Sequence, residues 1–558
     1  MSSRTSRPMG RRLRYVLIAA AALVLGSASR ASAHAGLETS IPAASSVLEQ
    51  SPDNVVLDFD EPVEAELASI QVFDAAAVLI EVGSPEAAAG DRSVVLASLP
   101  DLGDGLYAVV WRISSIDGHV VDGAFSFQIG TAGAADGKAL VDQVIDGARV
   151  TPAVSRAAGA ARLLGFLGVV VAIGGGLWVL IWANPSLDRA RRLVLVGWMM
   201  LAIGTMASFG LHAAAVSAGP ISDAWSFTQW DRIAGTRTGT LLLTRLVLVL
   251  MLGVLMVGVV IRGAHWRASA WWRSLAIVSA IGVIVSFPAA GHASTTSPRS
   301  VWVLSDALHL TAVAAWLGGL LVLAVRAVDF PDEVDYQVPA STSRLSALKQ
   351  FSTIATVAVP VIVVTGVAQT VRLAGGVDRI TDTDWGRTLL VKLSLVTVLI
   401  AVGAVSRWLL VNDGHAGIGR LVVVEAIIGV AILGLTASLV SLPPRPVAES
   451  RVFSTSLAQA GTIVDITITP GRIGQNEMHL VITPAGGSLQ PVISAEARVS
   501  LPERNLPNTP IALVADGSNH YSGQLTLAFG GDWTLEVIVE VSSGNSLLLG
   551  TTVPIPSG

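Results

Sequence analysis

Eight long apolar runs between residues 160 and 442 constrain this chain more than any other feature of it. They cover 162–182, 193–214, 240–261, 274–291, 301–325, 352–371, 388–411 and 418–441. A helix needs about 20 apolar residues to cross a bilayer. Inside lipid, every backbone N–H and C=O must also find its partner within the folded segment. The runs therefore predict an eight-helix transmembrane α bundle over 158–442, with the lipid membrane as an obligatory partner. Segments 34–157 and 445–558 have the polarity of soluble domains. A net charge of −5 gives no footprint for a nucleic acid, so none is expected as a partner. The absence of cysteine excludes disulfides, thiolate metal sites and iron–sulfur clusters. Any metal here has to be held by imidazole, carboxylate, thioether or backbone groups.

The N-terminus carries the marks of a cleavable leader over residues 1–33. Basic residues 11–14 (RRLR) precede an apolar stretch at 15–25, and Ala31-Ser32-Ala33 is a small-x-small cleavage pattern. Cleavage there makes His34 the first residue. Its α-amine, which titrates near pH 8, and its imidazole could then chelate one metal ion. With the leader removed, 34–157 lies outside the cell and the first span runs inward. The loops then placed in the cytoplasm hold Arg189, Arg191 and Arg192; Arg262, Arg267 and Arg273; Arg326, Arg344 and Lys349; and Arg407 and Arg420. The opposite loops hold fewer: Arg232 and Arg237, Arg299, then Arg372, Arg379 and Arg387. This asymmetry obeys the positive-inside rule. It predicts a multi-pass protein of the cytoplasmic membrane with both soluble domains on the extracytoplasmic side.

The segment 34–130 reads as all-β. VVLDF (55–59), SIQVF (69–73), SVVLASL (93–99), LYAVVWRIS (106–114) and GAFSFQIG (123–130) are β-branched or aromatic runs separated by turn residues. Such spacing predicts a Greek-key barrel or sandwich. Residues 131–157 read as a linker with one helical turn. The pattern returns over 449–556 in TIVDITITP (462–470), MHLVITP (478–484), YSGQLTLAF (521–529) and WTLEVIVEV (533–541), predicting a C-terminal β-sandwich. The fold class is thus multi-domain: a β domain, a membrane bundle and a second β domain.

Asp117-Gly118-His119 follows the strand bearing Trp111. An Asp-Gly pair usually makes a turn, and a neighbouring histidine is usually solvated. The His34 amine and imidazole, the His119 imidazole and the Asp117 carboxylate would, however, make a nitrogen- and oxygen-rich set suited to Cu(II). The blocks HAGLETSIPAASSVLEQSPDNVVLDFDEPV (34–63) and GLYAVVWRISSIDGHVVDGAFSFQIG (105–130) resemble the CopC family of extracytoplasmic copper-binding proteins. That resemblance implies a cupredoxin-like barrel and a Cu(II) site at His34, Asp117 and His119. Some CopC members carry a methionine-rich Cu(I) loop. No methionine lies between Met9 and Met199, so that loop is not expected here.

The membrane part resembles CopD, the inner-membrane partner of CopC. The matching blocks are GHAST (291–295), SDALHLTAVAAWLGGL (305–320), FSTIATVAVPVIVVTGVAQT (351–370), WGRTLLVKL (385–393) and GRLVVVEAIIGVAILGLTASLVSLPP (419–444). Ionisable groups inside a membrane are costly and usually functional. Asp306 and His309 share one helix face, while His292 and His212 fall toward the same end of the bundle. A membrane-domain site for Cu(I) or Cu(II) is expected from His292 and His309, with His212 and Asp306 as further candidates. Glu425 is expected to pair with Lys392 or Arg245. Met199, Met200, Met206, Met251 and Met256 read as packing. Gly174-Gly175-Gly176 and Gly318-Gly319 read as places of close helix approach. In the C-terminal domain Met478, His479 and His520 offer at most a weak secondary site. The resemblance implies a non-enzymatic copper-handling protein. Its outer domain captures Cu(II) and its bundle moves copper across the membrane, as an importer. An extracytoplasmic copper chaperone is an implied partner. The alternative is a non-transporting buffer or sensor merely anchored by the bundle.

Overall fold

The computed structural model describes residues 36–555, apart from 45, 49, 131–136, 148, 183–187, 263–268, 330–343, 375–379, 381–382, 413–417, 443–452, 470, 486–490, 505 and 518. The N-terminal β domain comprises β1 (Leu37–Ile41), β2 (Val47–Leu48), β3 (Asn54–Phe59), β4 (Ser69–Phe73), β5 (Leu79–Ile80), β6 (Glu86–Ala88), β7 (Asp91–Ser98), β8 (Gly105–Ser114) and β9 (Val120–Ile129). They form two sheets in the orders β1-β3-β7-β6 and β2-β9-β8-β4-β5. Alternate residues of β3, Val55, Leu57 and Phe59, face the core opposite Val109, Trp111 and Ile113 of β8. Each such side chain contributes about 1.5–3 kcal/mol on burial. The edge of the Trp111 ring meets Phe59 at a centroid distance of 5.3 Å. The β8–β9 ladder runs unbroken to Ser114↔Val120, and Ser115 Oγ beyond it donates to the buried Glu61 carboxylate at 2.6 Å.

In the segment read as a linker, α1 (Gly137–Val144) is a full helix rather than one turn. Its Leu140 packs with Leu106 and Ala108 of β8. Among the described residues, eight helices long and apolar enough to cross a membrane follow. They are α2 (Pro152–Trp182), α3 (Asp188–Ser217), and, after the short α4 (Phe227–Ala234), α5 (Arg237–Arg262), α6 (Ala270–Ala289), α7 (Arg299–Asp329), α8 (Arg344–Ala374), α9 (Asp384–Val411) and α10 (Ile418–Leu439). Pro152 starts α2 at the position where a missing N–H costs nothing.

Lipid is as apolar as leucine, so helix contact here depends on close fit. A Cβ on Gly174 would lie 1.8 Å from the Ala314 carbonyl oxygen, and one on Gly318 would lie 2.6 Å from Gly174 backbone. Alpha2 and α7 therefore meet backbone to backbone, beside a π-helical stretch at Val169–Gly174. Trp178 Nε1 donates across the same contact to Ala315 O at 2.7 Å. The pairing expected for Glu425 is not the one found. Glu425 accepts from Ser406 Oγ at 2.6 Å, while Arg245 donates to Ser286 Oγ and O at 2.8 and 2.9 Å and lies over the Phe287 ring. Each charge is answered by the nearest polar group on a neighbouring helix.

The C-terminal domain comprises β10 (Phe453–Gln459), β11 (Thr462–Thr469), β12 (Gly474–Thr483), β13 (Ser494–Leu501), β14 (Leu506–Ile511), β15 (Leu513–Gly517), β16 (His520–Leu527), β17 (Gly531–Ser542) and β18 (Asn545–Ile555). Its sheets are ordered β10-β11-β12-β16-β15 and β14-β13-β17-β18, with one shared apolar core. Gly318→Leu should separate α2 from α7 and lower stability by about 1–3 kcal/mol or more. Thermal melting of the detergent-solubilised protein against Gly434→Leu, where a Cβ meets nothing within 4 Å, checks this.

Candidate metal centre

The turn Ile116–His119 belongs with the helical unit rather than with the sheets that flank it in sequence. Arg237, at the start of α5, ties it down. One guanidinium nitrogen donates to Ile116 O at 2.5 Å and the other to Ala289 O at 2.8 Å. Gly118 sits at φ +86°, a backbone conformation that glycine alone adopts freely, and a Cβ there would lie 3.0 Å from Thr238. The chain can then reverse sharply and aim Asp117 and His119 the same way.

Asp117 is 2% exposed. Its Oδ1 lies 2.9 Å from His119 Nδ1 and its Oδ2 lies 2.7 Å from His292 Nδ1. The two imidazoles stack with centroids 4.5 Å apart and planes 11° from parallel. His292 stands on a short 3-10 turn, His292–Ser294, after α6. The Thr295 and Thr296 hydroxyls donate to its backbone carbonyl at 3.2 and 2.9 Å, which pins the turn that carries the ring. His119 Nε2 lies 3.3 Å from Val440 O just past α10. A carbonyl only accepts, so that nitrogen keeps its proton and Nδ1 is the position where a metal can replace one.

Burial alone would raise the Asp117 carboxyl, but the two imidazoles, His119 foremost, hold it well below the usual carboxylate range. Burial works against a charge on His119 too; the Asp117 carboxylate outweighs it and lifts His119 above an ordinary histidine. Burial, helped by the His119 charge, depresses His292. The carboxylate thus stands between two imidazoles shifted in opposite directions, His119 upward and His292 downward. Its two nitrogens and one oxygen have ligand atoms within 4.8 Å of one another. Among the described residues this is the group of three or more His, Asp or Glu side chains that could hold a metal. Cis donors about 2.0 Å from a metal stand about 2.8 Å apart, close to the Nδ1–Oδ separations found. The set suits a borderline cation such as Cu(II).

The grouping differs from the two separate sites read from the sequence. His292 joins Asp117 and His119 rather than His309. His309 Nδ1 instead lies 2.8 Å from Thr365 Oγ1 of α8. Asp306 Oδ2 accepts from Arg372 at 3.0 Å, and that guanidinium also lies over the Trp302 ring. His212 is half-buried in α3, and its Nε2 has no hydrogen-bond partner among the described residues. His34 lies outside the described residues, as does the leader. Three arginines were missed as parts of this neighbourhood. Arg237 and Arg372 read as loop charges, yet Arg372 is 3% exposed within α8. Arg162 of α2 donates to Ser441 Oγ at 2.6 Å. Arg162 is the first residue of the run read as a span over 162–182.

Three family models match the chain: a CopC domain over residues 37–130, a copper resistance protein D-like N-terminal domain over 154–298, and copper resistance protein D over 345–439. Asp117 and His119 fall in the first, and His212 and His292 in the second. Asp306 and His309 lie between the second and third. The chain is 25% identical over 464 residues to the copper transport protein CutJ of Bacillus subtilis, covering 82% of this chain and 83% of CutJ. It is 31% identical over 121 residues to protein YobA of Escherichia coli, covering 21% of this chain and 95% of YobA. The crystal structure of CopC from Methylosinus trichosporium matches at 30% identity over 17% of this chain and 93% of that one, with a TM-score of 0.17.

Gly118→Val should strain the turn by about 1–3 kcal/mol and push it off Thr238, weakening metal binding with the far-ultraviolet spectrum unchanged. Cu(II) titration alongside far-ultraviolet circular dichroism measures both effects.

Proposed function

From the premise that this chain belongs to the CopC/CopD copper-resistance family, with both parts in one multi-pass membrane polypeptide, we propose that it transports copper inward across the cytoplasmic membrane through the centre at Asp117, His119 and His292. The observation that carries this reading is the shared carboxylate. Asp117 faces His119 of its own turn through one oxygen and His292 of the CopD-like part through the other. A Cu(II) ion captured by the His34 terminus, Asp117 and His119 would already be beside the first imidazole of the membrane domain. Transfer then needs one ligand exchanged for another at a common site, with no free ion released.

Copper is the cargo. On binding it displaces the Nδ1 proton of His119, and the carboxylate that stabilised this proton becomes an oxygen ligand. His212 and His309 are the further imidazoles a cation would meet within the bundle, in either oxidation state. Both β domains stand outside the cell in this reading, as the arginine distribution predicts. The relative CutJ is named a copper transport protein, which agrees with transport as the task.

The test is copper accumulation by cells carrying His292→Ala, beside Cu(II) affinity of the purified protein. Affinity should fall by at least about tenfold and accumulation should drop to the level of cells without the protein. If accumulation is unchanged while affinity falls, the bundle is an anchor and the protein a buffer.

A further inference from the structure

We propose that the C-terminal β domain carries a second metal site, at His479 and His520, for a d10 ion: Cu(I) or Zn(II). The site is separate from the centre at Asp117 and does not depend on the transport reading. In the antiparallel β12–β16 pair, Val481 stands opposite His520 and His479 opposite Ser522. His479 and His520 are thus diagonal neighbours on one face of the sheet. Met478 points the other way, is fully buried in the apolar core and takes no part. Asn519, in the left-handed region at φ +63°, fixes where β16 begins. Its side chain accepts from Val492 N at 2.7 Å and its carbonyl from Ile482 N at 2.9 Å.

His479 Nδ1 lies 3.4 Å from His520 Nε2. That is long for a hydrogen bond. Two nitrogens bound about 2.05 Å from a tetrahedral ion stand about 3.4 Å apart, so the separation is the bite such an ion requires. The imidazoles lie nearly parallel, 9° apart. On the far side of His479, Nε2 is 3.7 Å from Glu477 Oε1. A ligating histidine commonly directs its second nitrogen to a carboxylate, which sets the tautomer and strengthens the first nitrogen as a donor. His479 faces away from the core yet is only 7% exposed. Two imidazoles and no thiolate suit copper or zinc rather than a hard cation.

The experiment uses the full-length protein in detergent, titrated anaerobically with Cu(I) against a chromogenic chelator and separately with Zn(II). His34→Ala, Asp117→Ala, His119→Ala and His292→Ala are combined to silence the first centre. One equivalent of at least one of the two ions should still bind in that background. Adding His479→Asn and His520→Asn should weaken it at least tenfold, and Glu477→Gln should weaken it while leaving the stoichiometry at one. X-ray absorption of the silenced, loaded protein should report imidazole scattering, a readout that needs no further variant. Binding of neither ion in the silenced background, or equal binding after both C-terminal histidines are replaced, overturns the proposal. Failure here leaves the His292 accumulation result untouched, so the two readings are separable.

Discussion

A carboxylate removed from water at Asp117 organises the region that matters most. At 2% exposure an ionised carboxylate is stable only when its oxygens are met by positive or donating groups. Asp117 meets that demand with one imidazole per oxygen; the His119 ring is met on its other side by Val440 O, and the turn bearing His292 is pinned by the threonines bonded to its backbone carbonyl. The same requirement dictates the sharp turn at Gly118 and the Arg237 clamp on the Ile116 carbonyl. What holds this centre together without a metal is also what a copper ion would use.

The bundle supports that centre through close fit. Gly174 and Gly318 let α2 and α7 touch along their backbones, and tryptophan N–H groups bridge to carbonyls across helix pairs, as Trp178 does to Ala315 and Trp198 to Val249. Polar groups of α7 are answered by α8: Asp306 by Arg372, His309 by Thr365. In a low-dielectric surround such pairs specify which faces meet more than they add net stability. The bundle is thereby held in one register, and the 3-10 turn after α6 presents His292 at a definite place.

The elements that went unread in the sequence share a physical cause. In the N-terminal domain the five strands with clear β-branched runs were legible, whereas β1, β2, β5 and β6 were not, and these four are the sheet edges. An edge strand pairs on one side only, so its side chains need not alternate strictly between core and water. In the C-terminal domain β10, β14, β15 and β18 are again edges. Beta13 is the exception: it is central, but SAEARVSL interleaves alanine and charge and reads as neither strand nor helix. Alpha1 was taken for a linker because its apolar residues are few; Leu140 is what seats it against β8.

The sequence by itself determined the architecture of β domain, eight-helix membrane bundle and β domain, because hydrophobic run length and strand periodicity are local properties that a bilayer or a sheet reads directly. It also singled out Asp117, His119 and His292 as chemically unusual. Only the tertiary structure decided that these three meet. His119 and His292 are 173 positions apart, and no pattern along the chain encodes which helix end a turn will pack beside. The same limit hid the Asp306–Arg372 pair, since a buried charge takes whichever counter-charge the helix packing brings within reach.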